Sequence, residues 1–295
     1  MAHRNRTRAR AVPPAATGGP DGRRRAVVDR VRPEIDGGRF AIKRTVGEMV
    51  RVNAWIHADG HDVITAVMRY RAIGADGAGE WLERPMEPLG NDEWAAGFRI
   101  DRQRTHEYTV HAWVDRFVTW RKEFGAKVNA SQDVSSELLE GAAHVAEAAA
   151  RARAAHADDE AAWLDRQAAV LGGSTPMLDR ARAALEDRLA RVTGQFPDRS
   201  LATEYGRVLS VSVDRERARY GAWYEMFPRS WGPDPTRGGT FREAEAHLPR
   251  VAGAGFDIVY LPPIHPIGTT FRKGKGNTLL ASPDDPGSPW AIGSA

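Results

Sequence analysis

The sequence predicts a multidomain protein in which an antiparallel β-sandwich with an α-helical insertion is followed by the start of an incomplete β/α barrel. Three patterns support this fold class. Apolar and polar residues alternate up to about residue 120, helical spacing replaces that alternation from about 132 to 194, and a strand–helix–strand pattern follows Gly221. At 295 residues the chain is long enough for two or three domains.

The first segment, residues 1–25, is expected to be a disordered basic tail. Proline and glycine interrupt it, and it lacks the apolar core of a secretory signal. A solvated extension is the favoured interpretation, and nonspecific binding of polyanions is the alternative. Its charged residues include Arg4, Arg6, Arg8, Arg10, Arg23, Arg24 and Arg25, against the single acid Asp21.

The composition excludes several classes of site. The chain has no cysteine, so it has no disulfide framework, thiolate metal site or cysteine nucleophile, which is compatible with a cytoplasmic location. Its nine histidines show no metal-binding spacing, and no apolar window approaches a membrane span. We therefore expect no metal, no other cofactor and no membrane partner. The net charge of +3 gives no reason to expect a nucleic-acid partner.

A β-sandwich is predicted for residues 26–130, because four runs alternate with period two. Turn signals separate these runs, such as Asp59-Gly60 and Gly90-Asn91-Asp92. The runs are 50–56, 64–70, 94–100 and 108–114. The tryptophans of this region either form a glycan-stacking surface or pack in the structure, and packing is the commoner role. They are Trp55, Trp81, Trp94, Trp113 and Trp120.

A helical insertion of two or three helices is predicted for residues 131–205. Gly172 is a stop signal, and a further helix is expected to begin with Thr175 as its N-cap and to end at Gly194. The residues 206–220 regain a strand-like pattern at Val211, and we expect this segment to return to the sandwich as a strand followed by a linker. An earlier helical stripe contains Val134, Leu138, Val145 and Ala149.

The last segment, residues 221–295, is predicted to be the first βαβ unit of the barrel with a long polar loop. Its strands lie within 222–228 and 256–264, and such a pair is parallel with a right-handed crossover. The intervening helix begins with a capping box formed by Thr240 and Glu243, and Ala244, Leu248 and Val251 are expected to face the sheet before a stop at Gly255.

The loop after the second strand holds the densest group of polar residues. Loops at the carboxyl ends of barrel strands build active sites, and lysine and asparagine can donate hydrogen bonds to hydroxyl or phosphate oxygens. The loop therefore suits a sugar or a sugar phosphate, although a solvated loop is the commoner meaning of Arg-Lys-Gly-Lys-Gly. It lacks the ending of a Walker A motif.

Two other polar residues of this segment have open roles. Glu225 either points into a site or, as the favoured interpretation, is a buried carboxylate paired with an arginine. For His265 a structural role is at least as expected as a catalytic one. The spacing of the residues defines no general acid and nucleophile.

Seven stretches of the chain together resemble one family. The chain is similar to the α-amylase superfamily and, within it, to the bacterial α-1,4-glucan:maltose-1-phosphate maltosyltransferases. The stretches are WYEMFPRS (223–230), YLPPIHPIG (260–268), FRKGKGN (271–277), GSPWAIGS (287–294), VRPEIDGGRF (31–40), PLGND (88–92) and QDVSSELLEGA (132–142).

The resemblance implies an immunoglobulin-like sandwich, a helical insertion and the start of a (β/α)8 barrel. It implies homodimers that move maltosyl from α-maltose 1-phosphate to the non-reducing ends of α-1,4-glucans, releasing phosphate with retention of configuration. Lys273 matches the donor-binding lysine, and Asn277 and Ser288 match positions near the donor sugars. Gly276 departs from the polar residue expected there.

The resemblance also places the catalytic aspartate and glutamate after later barrel strands. We therefore expect both beyond Ala295, in a longer protein of which this chain is an inactive N-terminal fragment. A non-catalytic module for glycan binding or for dimerisation through the sandwich and the helical insertion is the alternative.

Overall fold

The structure is a computed structural model that describes residues 22–234, 237–265, 267–285, 287–288 and 290. These residues form two compact units, which divide between Asp214 and Arg215. Most of the tail predicted for residues 1–25 lies outside the described residues. Its last residue is ordered, because Arg25 donates to the Asp59 carboxylate at 2.9 Å and also pairs with Asp62.

The first unit contains two β-sheets. The strands are β1 (Val27–Arg32), β2 (Ile42–Thr45), β3 (Met49–His57), β4 (Ile64–Gly74), β5 (Gly77–Ala78), β6 (Leu82–Pro85), β7 (Glu87–Gly90), β8 (Glu93–Arg99), β9 (His106–Val114), β10 (Thr203–Glu204) and β11 (Leu209–Asp214). One sheet has the strand order β1-β3-β8-β7, and the other has the order β2-β11-β9-β4-β5, with β10 beside β9 and β6 beside β4. The four alternating runs of the sequence correspond to β3, β4, β8 and β9, so those four strands are confirmed.

Strand β11 follows the helices in sequence but lies inside the second sheet. It pairs antiparallel with β9 and parallel with β2. Its residues Leu209, Val211 and Val213 are buried, as expected when one face of a strand packs on a core. The chain therefore leaves the second sheet after β9, forms the helices and returns to the same sheet.

The two sheets contribute side chains to one hydrophobic core. Phe98 of β8 stacks on Tyr70 of β4, with ring centroids 4.6 Å apart. The first sheet supplies every second residue of β3, and the second supplies residues of β4, β9 and β11. These buried residues include Val50, Val52, Ala54, Ile56, Met68, Tyr108, Val110 and Leu209. The unit is thus a β-rich domain to which helices are added.

The helices of the first unit begin earlier than predicted. The side chain of Asp115 accepts a hydrogen bond from the Val118 amide and caps the first helix, which begins at Arg116 within the segment predicted as sandwich. Trp120 is therefore a helical residue, and it packs with Phe117 and Phe124. The helices are α1 (Arg116–Asn129), α2 (Ser135–Ala154), α3 (Asp158–Leu171), α4 (Met177–Ala184) and α5 (Asp187–Gln195).

These five helices of the described region exceed the two or three that were predicted. The helix expected from Thr175 to Gly194 is broken at Leu185 and Glu186, where Glu186 has an extended backbone (φ −61°, ψ 135°). Pro176 is also extended (ψ 136°), so helix α4 starts after it instead of at it. The stripe from Val134 to Ala149 is buried and Gly172 follows the last residue of α3, which confirms both predictions.

The second unit contains a parallel pair of short strands joined by helices. Strand β12 (Trp223–Glu225) pairs parallel with β13 (Ile258–Tyr260), which confirms the parallel pair. Between them lie α6 (Phe241–Glu245) and α7 (Leu248–Gly253). Proline lacks an amide hydrogen and suits the first turn of a helix, which explains why a new helix begins beside Pro249.

The ends of this helical segment follow the sequence closely. Thr240 and Glu243 form the predicted capping box, and Gly255 has a positive φ of 88° at the stop. Ala244 and Val251 are buried, but Leu248 is exposed because it is the first residue of the separate helix α7. In the described part of the chain, no helix is both long and apolar enough to cross a bilayer.

Candidate functional site

A cavity of about 360 Å³ lies at the carboxyl ends of β12 and β13. Because the strands are parallel, the loops that follow them meet at the same edge. Arg229 comes from the loop after β12, His265 and Ile267 come from the loop after β13, and Thr240 and Phe241 come from the start of α6. The cavity is mainly apolar with a few polar groups, as small-molecule sites are.

The polar loop folds back beside this cavity at Gly287. A Cβ atom added to Gly287 would lie 2.8 Å from Cγ2 of Ile267 and 3.2 Å from Cγ of Arg272, and Gly287 has a positive φ of 69°. Ile267 also lines the cavity. The backbone at Gly287, which precedes Ser288, therefore lies close to Arg272, which precedes Lys273. Both loop segments thus lie next to the cavity.

Lys273 is half-buried and forms no ion pair with any described residue. Its ammonium group is thus available to an anionic ligand. Ser288 is also half-buried, and its Oγ accepts a hydrogen bond from the Trp290 amide at 3.3 Å. That Lys273 and Ser288 bind a ligand stays a prediction from the sequence.

Asn277 is placed differently from the other two predicted residues. It is exposed on a tight 3-10 turn (Lys275–Asn277), with a positive φ of 66°, and its amide donates to the Gly274 carbonyl at 3.1 Å. It is not one of the residues that line the cavity. A Cβ atom on Gly274 would clash with the backbone carbonyl oxygen of Leu280, which explains the glycine at the start of this turn.

Arg229 is the polar residue that sequence reasoning missed. It lines the cavity, is half-buried and has no ion-pair partner among the described residues. Its only signal in the sequence is an arginine that follows a buried strand and a proline in WYEMFPRS. The parallel pairing of β12 and β13 places the loops that follow them at one edge, and this is what brings Arg229 to the cavity.

Glu225 does not have the role that was favoured for it. It is exposed, and no arginine pairs with it among the described residues. Side chains alternate along a strand, so Glu225 shares the exposed face of β12 with Trp223, while Tyr224 packs against Phe256 with centroids 5.0 Å apart. The interpretation as a buried, arginine-paired carboxylate is therefore wrong.

Four of the five tryptophans of the predicted sandwich region offer no open stacking platform. Arginine guanidinium groups lie over the rings of Trp55, Trp81 and Trp113, at 5.1, 4.3 and 4.5 Å from the ring centroids. Trp120 is buried and donates its indole N–H to the Glu137 carbonyl at 2.8 Å. Across the described residues, no three potential metal ligands gather into a metal site.

Glu243 holds the start of α6 at the wall of the cavity. Arg237 donates to its carboxylate at 3.1 Å, and the Thr240 amide donates to it at 2.7 Å. The hydrogen bond from Arg237, followed by those from Thr240, lowers the pKa of Glu243 to about 2. A carboxylate in this position also suits the positive end of a helix.

We expect the stabilisation from Glu243 to be present above its ordinary pKa, given as 4.5, and to be lost as the pH falls towards 2. NMR titration of the glutamate carboxyl carbons should show this midpoint near 2 and should show it rise in Arg237→Ala. The matched variant Arg242→Ala removes a neighbouring arginine that does not bond Glu243. An equal rise in both variants would contradict the assignment to Arg237.

One comparison decides the family of the chain. A family model for α-1,4-glucan:maltose-1-phosphate maltosyltransferase, domain N/S, matches residues 24–215. The chain belongs to this family. The matched region holds the two sheets and helices α1 to α5, and it ends one residue after β11.

Curated relatives extend the match into the second unit. The chain is 51% identical over 269 residues to an α-1,4-glucan:maltose-1-phosphate maltosyltransferase of Myxococcus xanthus, which covers 91% of the chain and 40% of the relative. It is 48% identical over 275 residues to that of Chlorobaculum tepidum, covering 93% of the chain and again 40% of the relative. The chain thus spans about 40% of the length of these relatives, which is consistent with the predicted N-terminal fragment.

Proposed function

We propose that the chain is the N-terminal part of a retaining maltosyltransferase. The whole protein would move maltosyl from α-maltose 1-phosphate to the non-reducing end of an α-1,4-glucan and release phosphate. The relatives carry the name of this activity. The observation that supports the proposal most is the loop of Lys273 and Ser288, which folds beside a cavity at the carboxyl edge of a parallel strand pair.

The finer fold belongs to the same proposal. The β-rich domain would be an immunoglobulin-like sandwich, and β12, β13 and their helices would open a (β/α)8 barrel. In such a barrel the carboxyl edge of the strands holds the active site, which is where the cavity lies. The whole protein would be a cytoplasmic homodimer that assembles through the β-rich domain and helices α1 to α5.

The site residues have distinct proposed roles. The ammonium group of Lys273 would bind phosphate oxygens, a contact that is stronger between charged partners than between neutral ones. Ser288 and Asn277 would hydrogen-bond the donor sugars. Retention requires two carboxylates, one as nucleophile and one as acid and base. We propose that neither is present in these 295 residues, and that the chain alone transfers no maltosyl.

We expect Lys273→Ala to weaken the binding of maltose 1-phosphate to the chain by about tenfold or more, because hydrogen bonds to charged groups contribute about 1.5 to 3 kcal/mol. Isothermal titration calorimetry measures this directly. The matched control is Lys275→Ala, which removes the same charge two residues away from an exposed position. Maltose, which lacks the phosphate, should bind the original chain and the Lys273→Ala variant equally.

Equal weakening by Lys273→Ala and Lys275→Ala would mean that only the overall charge of the loop matters. That result would contradict a specific donor-binding lysine. The alternative of a glycan-binding surface made of tryptophans is disfavoured by the arginines that cover three of those rings.

A further inference from the structure

Arg229 is a cation at the β12–β13 edge to which the proposed function assigns no role. It lies in the short turn Pro228–Ser230 after β12 and lines the cavity of about 360 Å³. The residue is half-buried, and its side chain forms no hydrogen bond or ion pair with any described residue. None of its side-chain nitrogen atoms is enclosed in the protein. The guanidinium group is therefore both unpaired and open to a ligand.

The backbone around Arg229 is fixed from two sides. The Gly239 amide donates to the Arg229 carbonyl at 2.7 Å, and a Cβ atom added to Gly239 would lie 2.5 Å from the Gly232 nitrogen. The ring of Trp231 packs on that of His247, with centroids 4.5 Å apart, and Nε2 of His247 lies 3.2 Å from the Trp231 carbonyl. The loop is thus held in place before a ligand arrives, which lowers the cost of ordering it on binding.

The charge at this cavity is positive. Among the described residues that line it, only Arg229 carries a permanent charge, and none is a carboxylate. Glu243 lies close behind the wall at Thr240, but Arg237 donates to its carboxylate at 3.1 Å and offsets its charge. Most of the other lining side chains are phenylalanine, proline or isoleucine, and charges attract each other more strongly beside such groups than in water. The cavity therefore favours an anion.

A second unpaired cation, Lys273, lies in the loop next to the same cavity, which the contact of Gly287 with Ile267 brings there. A carboxylate carries one negative charge, whereas a phosphate ester carries about 1.5 to 2 at pH 7. Two cations therefore match a phosphate group better than a carboxylate. The planar guanidinium group also binds two oxygen atoms of one phosphate group at once, while an ammonium group acts as a point charge.

We propose that Arg229 binds a phosphate group in the cavity at the β12–β13 edge. Its guanidinium group donates to two phosphate oxygens, and the ammonium group of Lys273 balances the remaining charge. Two sources supply such a group in the proposed reaction, namely the sugar phosphate donor and the inorganic phosphate that is released. That the group belongs to the donor rests on the proposed function, but the anion site itself does not.

Calorimetric titration of the whole chain with inorganic phosphate, and separately with maltose 1-phosphate, tests this assignment. We expect Arg229→Ala to weaken the binding of both by about tenfold, because it removes hydrogen bonds between charged groups. Arg229→Lys keeps the charge but loses the planar fork, so its affinity should lie between the two. The matched control is Arg250→Ala, which removes an exposed arginine of α7 that does not line the cavity and should bind as the original chain does. Acetate, with one charge, should bind more weakly than phosphate.

The two ligands separate this site from the proposed function. If Arg229→Ala weakens the binding of inorganic phosphate while maltose 1-phosphate binds no more tightly than inorganic phosphate, the anion site stands and the donor site fails. If Lys273→Ala weakens donor binding while Arg229→Ala does not, the donor site stands and this proposal is overturned. Equal weakening by Arg229→Ala and Arg250→Ala would also overturn it, since only the overall charge would then matter. So would acetate that binds as tightly as phosphate, or an original chain that binds no phosphate.

Discussion

Replacing Phe98 with alanine is expected to lower the free energy of unfolding of the first unit by about 3 to 5 kcal/mol. The ring is 2% exposed and stacks on Tyr70 at 4.6 Å, with Tyr108 at 6.1 Å between centroids. Phe98 belongs to the first sheet, whereas Tyr70 and Tyr108 belong to the second. The substitution removes apolar contacts between the sheets and leaves a cavity between them.

Urea denaturation followed by far-ultraviolet circular dichroism measures this loss. Phe40→Ala is the matched control, because the same side chain is 52% exposed there, and we expect a change within about 0.5 kcal/mol. If both variants lost equal stability, Phe98 would not occupy the core shared by the two sheets.

Gly141→Ala should also destabilise the first unit strongly, by about 1 to 3 kcal/mol or more. Gly141 lies on α2 against the ring of Trp120, and an added Cβ atom would lie 2.5 Å from Cη2 of that ring. Trp120 cannot easily move, because its indole N–H is bonded to Glu137 and its ring stacks on Phe124. The clash therefore outweighs the roughly 1 kcal/mol by which alanine favours a helix over glycine.

Gly125→Ala provides the control for this effect. Gly125 lies on α1, and its added Cβ atom would meet Cδ2 of Leu185 at 3.7 Å, an ordinary contact. We expect this variant to be neutral or more stable than the original chain, as judged by the midpoint of thermal unfolding. A lower unfolding midpoint for Gly141→Ala together with an equal or higher midpoint for Gly125→Ala would support the packing of α2 on Trp120. A higher midpoint for both variants would exclude it.

The strands were predictable because one face of each sheet is buried. Period-two alternation located β3, β4, β8 and β9, since their alternate residues enter the shared core. The helices were less predictable. Trp113 and Trp120 are similar residues seven positions apart, yet one lies on β9 and the other on α1. The spacing of apolar residues changes from that of a strand to that of a helix within a few residues of Asp115. This stretch is too short for the sequence pattern to locate the boundary.

The site was predictable only in part, for a similar reason. Lys273 and Ser288 were predicted from a resemblance, and the parallel pairing of β12 and β13 explains why their loop lies beside the cavity at the carboxyl edge of the strands. The contact of Gly287 with Ile267 and the position of Arg229 depend on residues far apart in sequence. Neither the spacing of residues along the sequence nor the composition predicts such contacts.

A phosphorus NMR time course tests the central claim most directly. The chain is mixed with maltose 1-phosphate and a maltooligosaccharide acceptor, so that one experiment reports both donor binding and phosphate release. We predict that the chain shifts and broadens the donor signal, that the Lys273→Ala variant causes neither change, and that the inorganic phosphate signal does not grow. A donor signal unaffected by the chain would contradict the donor site, and growth of free phosphate would contradict the claim that the catalytic carboxylates are absent.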